Sequence, residues 1–269
     1  MAGLAVSTLA GCGGRQRSPA YSASAAEMPA PKRAYHAGLD AVIDLSHGAR
    51  VDDFNAIRKQ SNILGVIHKA TEGGDYVDPA YSDRRPRAEA AGLLWGAYHF
   101  GTAQFPGAKQ AASFLATARP GPSTLMALDF EPNDPNPRNT MRLDQAEAFV
   151  LAIQAATGRL PVVYTHPGWA NGRSAGRAGR RLPQPIAPGS ILARCDLWLA
   201  DYHDEAEVPF AWADRGWKLW QYAGDESVAD AEFGTVPRAV VGVSHADRNV
   251  FNGDAAALYR YWRGRTGSV

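Results

Sequence analysis

The segment Leu125 to Asp134, LMALDFEPND, closes an apolar run with two acids, Asp129 and Glu131, set on either side of Phe130. On a strand, side chains at i and i+2 share a face, about 6.5–7 Å apart along the backbone, so the two carboxyls project together while Phe130 points away. Like charges held that close cost stability, and one member keeps its proton to a higher pH. A protonated and an ionised carboxyl side by side suit acetal cleavage: one delivers a proton to a poor leaving group, the other steadies an oxocarbenium-like centre. The plain alternative is a strand end running into a solvated loop.

The elements that must position the pair follow from hydrophobic patterning. Short apolar runs at 41–45, 63–69, 93–99, 125–131, 160–164, 197–202, 217–222 and 239–243 predict eight strands, and 52–60, 80–91, 107–118, 141–157 and 254–263 predict helices mostly between them. Continuously apolar strands alternating with helices imply a parallel sheet covered on both faces, and eight of them imply an α/β fold of TIM-like barrel type. The connections 165–196 and 223–238 carry Gly, Pro and charge without helical periodicity, so the barrel is expected to be irregular. In such barrels chemistry sits at the C-terminal ends of the strands. Asp44 falls near the end of the first strand and Asp247 just beyond the eighth; these strands become neighbours on closure, so four acids are expected to face one cavity.

With 269 residues, 45% hydrophobic and 20% charged, the chain is long enough for one large core. Its net charge is +1, yet Arg15, Arg17, Lys32 and Arg33 against Glu27 put +3 into residues 13–35 and leave about −2 elsewhere. A nucleic-acid partner is therefore not expected. Two cysteines, Cys12 and Cys195, supply neither a disulfide framework nor a four-ligand zinc site. Residues 1–11 are small and apolar, too short to span a bilayer, and end in Leu9-Ala10-Gly11-Cys12. That ending resembles the lipobox of bacterial lipoproteins, with Cys12 as the lipidated residue, although no Lys or Arg precedes it. Residues 12–36 then read as a disordered tether rich in Ala, Ser, Pro and Gly, and 37–269 as a single catalytic domain.

VIDLSHG (42–48), VIHKATEGGDYVDPAY (66–81), GLLWGAYHFG (92–101), LDFE (128–131), PVVYTHPGW (161–169), LWLADY (197–202), LWQYAG (219–224) and HADRNVFNG (245–253) together resemble the ordered motifs of glycoside hydrolase family 25 lysozymes. The resemblance implies a flattened, irregular (βα) barrel that cleaves the β-1,4 bond between N-acetylmuramic acid and N-acetylglucosamine in peptidoglycan. It implies Glu131 as general acid, Asp129 as stabiliser of the transition-state charge, and Asp44 and Asp247 as the remaining two acids. Ionised Asp129, Asp44 and Asp247 are expected to raise the pKa of Glu131. The sequence departs from the family at Gly48-Ala49-Arg50 and at His245-Ala246-Asp247-Arg248-Asn249, and 170–194 looks inserted.

Tyr98, Tyr164, Trp198, Trp220, Gln221 and Tyr222 lie late in their strands, where aromatics stack on sugar faces and amides bind hydroxyls; alternation sends about half of them to the core instead. Lys69 and His99 are expected to point inward near the acids, His99 either as an orienting donor or as a satisfied core histidine, and Asp78, just before Pro79, to cap the following helix. Arg173, Arg177, Arg180 and Arg181 read as a solvated loop in preference to a site for anionic cell-wall polymer. No metal and no cofactor is implied, a monomer is expected, and the place of action is the cell envelope by way of lipidated Cys12, or secretion. Which group attacks the anomeric carbon stays open, because i, i+2 spacing does not fix the separation of carboxyl tips. Two rival functions are a non-catalytic glycan-binding barrel and a metal-dependent sugar deacetylase, the latter disfavoured because His47, His68, His99 and His166 lack close ligand spacing.

Overall fold

The computed structural model describes residues 38–203, 205–224 and 239–264. Cys12 and the tether, and most of the 223–238 connection, lie outside the described residues. Nine strands are described: β1 (Leu39–Leu45), β2 (Gly65–Glu72), β3 (Tyr76–Val77), β4 (Leu94–Phe100), β5 (Leu125–Asp129), β6 (Val162–Thr165), β7 (Leu197–Ala200), β8 (Leu219–Ala223) and β9 (Asp247–Phe251). They run in the order β1-β9-β8-β7-β6-β5-β4-β2, and pairing of β1 with β2 closes an eight-stranded barrel, with β3 forming a short antiparallel hairpin on β2. The helices are α1 (Phe54–Gln60), α2 (Tyr81–Ala90), α3 (Gly107–Ala118), α4 (Leu143–Thr157), α5 (Pro167–Ala170), α6 (Ile191–Arg194) and α7 (Ala255–Arg263). No helix among the described residues is long and apolar enough to cross a membrane.

Two expectations are corrected. The run 239–243 is not the last strand: Val241 and Gly242 form a turn packed on the start of α1, where the Gly242 carbonyl accepts from the amides of Asp52 (2.8 Å) and Asp53 (3.1 Å). Gly242 sits at φ +95°, and a Cβ there would lie 2.4 Å from the Asp53 carbonyl oxygen, so an apolar run was read as strand where glycine makes a tight turn. The true last strand is β9, antiparallel to both β1 and β8. The barrel is therefore mixed rather than wholly parallel, and Asp247 opens the last strand instead of following it. Because β9 runs the opposite way, its beginning lies where the parallel strands end.

Alternation divides the strand residues between two cores. Val42, Ile67, Leu94, Leu125, Ala127, Val162, Tyr164, Trp198, Leu219 and Phe251 fill the barrel, while Ile43, Val66, Ala97, Leu128, Val163, Leu199, Trp220, Tyr222 and Val250 face the surrounding helices. The lower end of the barrel is closed by α7, whose Asp254 caps it by accepting from the Ala257 amide at 2.7 Å. Trp262 of that helix is fully buried among the interior residues and donates its indole N–H to the Trp95 carbonyl at 2.8 Å. Burying a side chain of this size stabilises the fold by roughly 2–3 kcal/mol.

Candidate active site

At the upper end of the barrel the interior changes from apolar to polar. Asp44 on β1 and Asp247 on β9 are paired residues across neighbouring strands, and a side-chain hydrogen bond links their carboxyls. Asp44 Oδ2 also accepts from Gln221 Nε2 (2.9 Å) and Asn249 Nδ2 (2.8 Å). Gln221 Oε1 in turn accepts from the hydroxyls of Tyr164 (2.9 Å) and Tyr202 (2.8 Å), and Trp198 Nε1 donates to Asn249 Oδ1 at 2.6 Å. This network satisfies a nearly buried carboxyl while fixing three aromatic rings around it. Burial raises the pKa of Asp44 against the lowering effect of its amide donors.

The paired acids stand at the end of β5. Asp129 is the last strand residue, and the Phe130 amide extends the ladder by donating to the Tyr164 carbonyl at 2.9 Å, which carries the alternation through to Glu131. Phe130 turns outward, as expected, and packs edge-on against Trp169 with ring centroids 5.7 Å apart. Asp129 is buried, and its Oδ1 has no hydrogen-bond partner among the described residues. Burial, and then the neighbouring Glu131, push the Asp129 carboxyl well above the usual carboxylate range. Glu131 is half-buried and pushed up to about 8, by burial first, then by the charges of Asp134 and Asp44, with Lys69 opposing. Burial thus raises both members of the pair, not Glu131 alone. Asp134, not singled out in the sequence, contributes the larger part of the charge acting on Glu131. It is held by the inserted segment, where the Arg177 amide donates to its Oδ1 at 2.9 Å; Gly176, at φ +67°, permits the approach, since a Cβ would lie 2.4 Å from that oxygen.

The other candidates divide by face. Tyr98, Tyr164, Trp198 and Gln221 lie inside the barrel with the acids, Tyr98 meeting the Trp198 ring edge-on at 6.3 Å. Lys69 reaches the mouth as expected, ion-paired with Glu72 at 2.6 Å and set over the rings of Tyr76 and Phe100 at 5.5 and 5.1 Å. Three candidates are corrected. Trp220 and Tyr222 face the outer core, where they donate to the Asp201 carbonyl (2.6 Å) and to Asp40 Oδ2 (3.0 Å). His99 likewise points outward: it bridges Thr71 Oγ1 and Gln110 Oε1 at 2.8 and 3.0 Å and stacks on Phe149, and burial lowers its pKa to about 4. The parity of each strand, set by its inward neighbours, decides these cases. Asp78 accepts from the Ala80 amide at the start of α2, and its other oxygen accepts from the His47 amide at 2.9 Å, so it ties the β1–α1 loop to that helix start. Asn249 and Tyr202 were missed; Asn249 stands at i+2 from Asp247, the same spacing that drew attention to Asp129 and Glu131. Among the described residues no group of three or more His, Cys, Asp and Glu is arranged to hold a metal ion, and His68 and His99 are turned away from the acids.

A barrel whose upper mouth gathers acids with raised proton affinity among aromatic rings has the makings of a carboxylate glycosidase. The family model for glycosyl hydrolases family 25 matches residues 43–231, and the chain belongs to that family. Lysozyme M1 of Streptomyces globisporus is 27% identical over 228 residues, covering 80% of this chain and 69% of that protein. The solved structure of a bacterial lysozyme from Streptomyces coelicolor superposes with a TM-score of 0.67 at 28% identity, covering 86% of this chain and 99% of that one. A muramidase from Acremonium alcalophilum gives 0.62 at 28% identity, covering 82% and 98%.

Proposed function

We propose that this protein is a muramidase, which hydrolyses the β-1,4 bond between N-acetylmuramic acid and N-acetylglucosamine in peptidoglycan strands. The observation that carries the reading is Glu131, half-buried at the barrel mouth beside Asp129, with its proton held up to a pH of about 8. A carboxyl that is still protonated at neutral pH can pass its proton to the departing sugar oxygen. Asp129 lies next to it with one unpartnered oxygen, and a cation developing on the sugar favours its ionised form. Asp44, tied to Gln221 and Asn249, holds the rings of Tyr164, Trp198 and Tyr202 as walls for the glycan.

Glu131→Gln lowers turnover on purified peptidoglycan by about 10²–10⁴-fold while the protein stays folded. Wild-type rate in that variant refutes the assignment. Muramic acid at the new reducing end identifies the bond, whereas glucosamine there redirects the reading to a glucosaminidase.

The domain at 37–269 acts outside the cytoplasmic membrane in this reading, as a monomer carried on the 12–36 tether. Its anchor is an acylated Cys12, supported by the Leu9-Ala10-Gly11-Cys12 ending. Mass spectrometry of the mature N-terminal peptide tests this: a lipid-modified Cys12 is expected, and an intact Met1 refutes it.

A further inference from the structure

A cavity of about 410 Å³ opens between the start of α4 and the inserted segment 170–194. Met141, Trp169 and Leu182 give it an apolar wall, and Arg180 and Arg181 stand among its lining residues. Both arginines are exposed, and neither guanidinium has a hydrogen-bond or ion-pair partner among the described residues. The other charges there are engaged: Arg142 forks onto Asp144 at 3.0 Å, and Glu147 accepts from the Ser190 hydroxyl at 2.7 Å. The segment that presents the two arginines is anchored. The Ala175 amide donates to the Arg180 carbonyl at 2.7 Å, Leu182 is 2% exposed, and the Ile186 amide donates to the Ala170 carbonyl at 2.8 Å. The inserted segment also reaches toward the catalytic mouth: its Arg177 amide donates to Asp134 Oδ1 at 2.9 Å, and the Asp134 charge acts on Glu131.

We propose that this cavity is a subsite for the acidic peptide arm borne by the glycan strand, an inference that rests on the peptidoglycan reading above. Planar guanidinium forks match carboxylates, and the apolar wall matches short alkyl side chains. An acidic peptide carries both features. A strand stripped of peptide offers only the lactyl carboxylate of each muramic acid and no alkyl side chain for the wall, and a poly(glycerol phosphate) chain offers anions without side chains for it. The inserted segment therefore makes the enzyme selective for glycan that still carries its peptides.

The test compares kcat/KM on peptide-bearing strands with that on the same strands after an amidase has removed the peptides, alongside calorimetric binding of the released free peptide. Wild type prefers peptide-bearing strands by about tenfold, the worth of roughly 1.4 kcal/mol. Arg180→Ala/Arg181→Ala brings that ratio near one, leaves the rate on stripped strands unchanged and weakens peptide binding about tenfold; Arg180→Glu/Arg181→Glu drives the ratio below one. An unchanged ratio or unchanged peptide binding in these variants overturns the subsite. Displacement of the peptide by poly(glycerol phosphate) at equal concentration overturns its assignment to peptide. If wild type cleaves neither substrate, the muramidase reading fails, while peptide binding lost in the arginine variants still supports the subsite.

Discussion

The two ends of the barrel are built from the same strands by opposite means. At the lower end Leu94, Leu125, Leu219 and Phe251 meet Trp262 in an apolar core, where its indole N–H is satisfied by the Trp95 carbonyl. At the upper end the same alternation delivers Asp44, Asp129, Gln221, Asn249 and Asp247, with Glu131 just beyond β5, and one carboxylate oxygen of Asp129 is left without a partner among the described residues. The lower end supplies stability that the upper end gives up in order to hold protons. A barrel with two apolar ends would be more stable and inert.

That contrast can be broken from either side. The largest expected effect is on chemistry, the 10²–10⁴-fold loss with Glu131→Gln. Trp262→Ala, at the opposite end, is expected to cost about 3–5 kcal/mol of stability in denaturant unfolding and to leave kcat within a few-fold wherever the protein remains folded. A loss of turnover in the folded variant comparable to that of Glu131→Gln would mean that the two ends are not separable. Asn249→Ala removes a donor from Asp44 and from Trp198 its acceptor, and is expected to cost about 2–3 kcal/mol because both partners are buried.

The smallest effect is a matter of sign. Glu131 has its folded pKa raised to about 8 from 4.5, so between those values the folded state binds more protons than the unfolded one and stability falls as pH rises. Glu131→Gln is therefore expected to stabilise the protein by about 1–3 kcal/mol at pH 9 and by much less at pH 4. Equal stability of variant and wild type at pH 9 would remove the electrostatic cost assigned to the mouth.

Legibility in the sequence followed the same division. Strands β1, β2 and β4 to β8 and the five longer helices were readable because their apolar residues recur at the period of the element that buries them. The last strand was not. DRNVF carries three polar residues whose partners come from distant segments: Asp44 for Asp247 and Asn249, and Asp40 for Arg248, which it accepts at 2.6 Å. Polar groups satisfied across such distances leave no periodic signature, and the neighbouring AVVGV run offered a false one. The paired acids were legible because i, i+2 spacing at a strand end is local. The facing of Trp220, Tyr222 and His99 was not, since strand parity had to be settled first. Asp134 and the cavity beside Trp169 depend on how the inserted segment folds back, which composition does not encode.

The central claim concerns one proton. Titration of the Glu131 side-chain carboxyl by ¹³C NMR, with the resonance assigned through Glu131→Gln, measures it directly. An apparent pKa near 8 supports a mouth built to keep a general acid loaded at neutral pH. A midpoint in the ordinary carboxylate range, about 4.3, would contradict it.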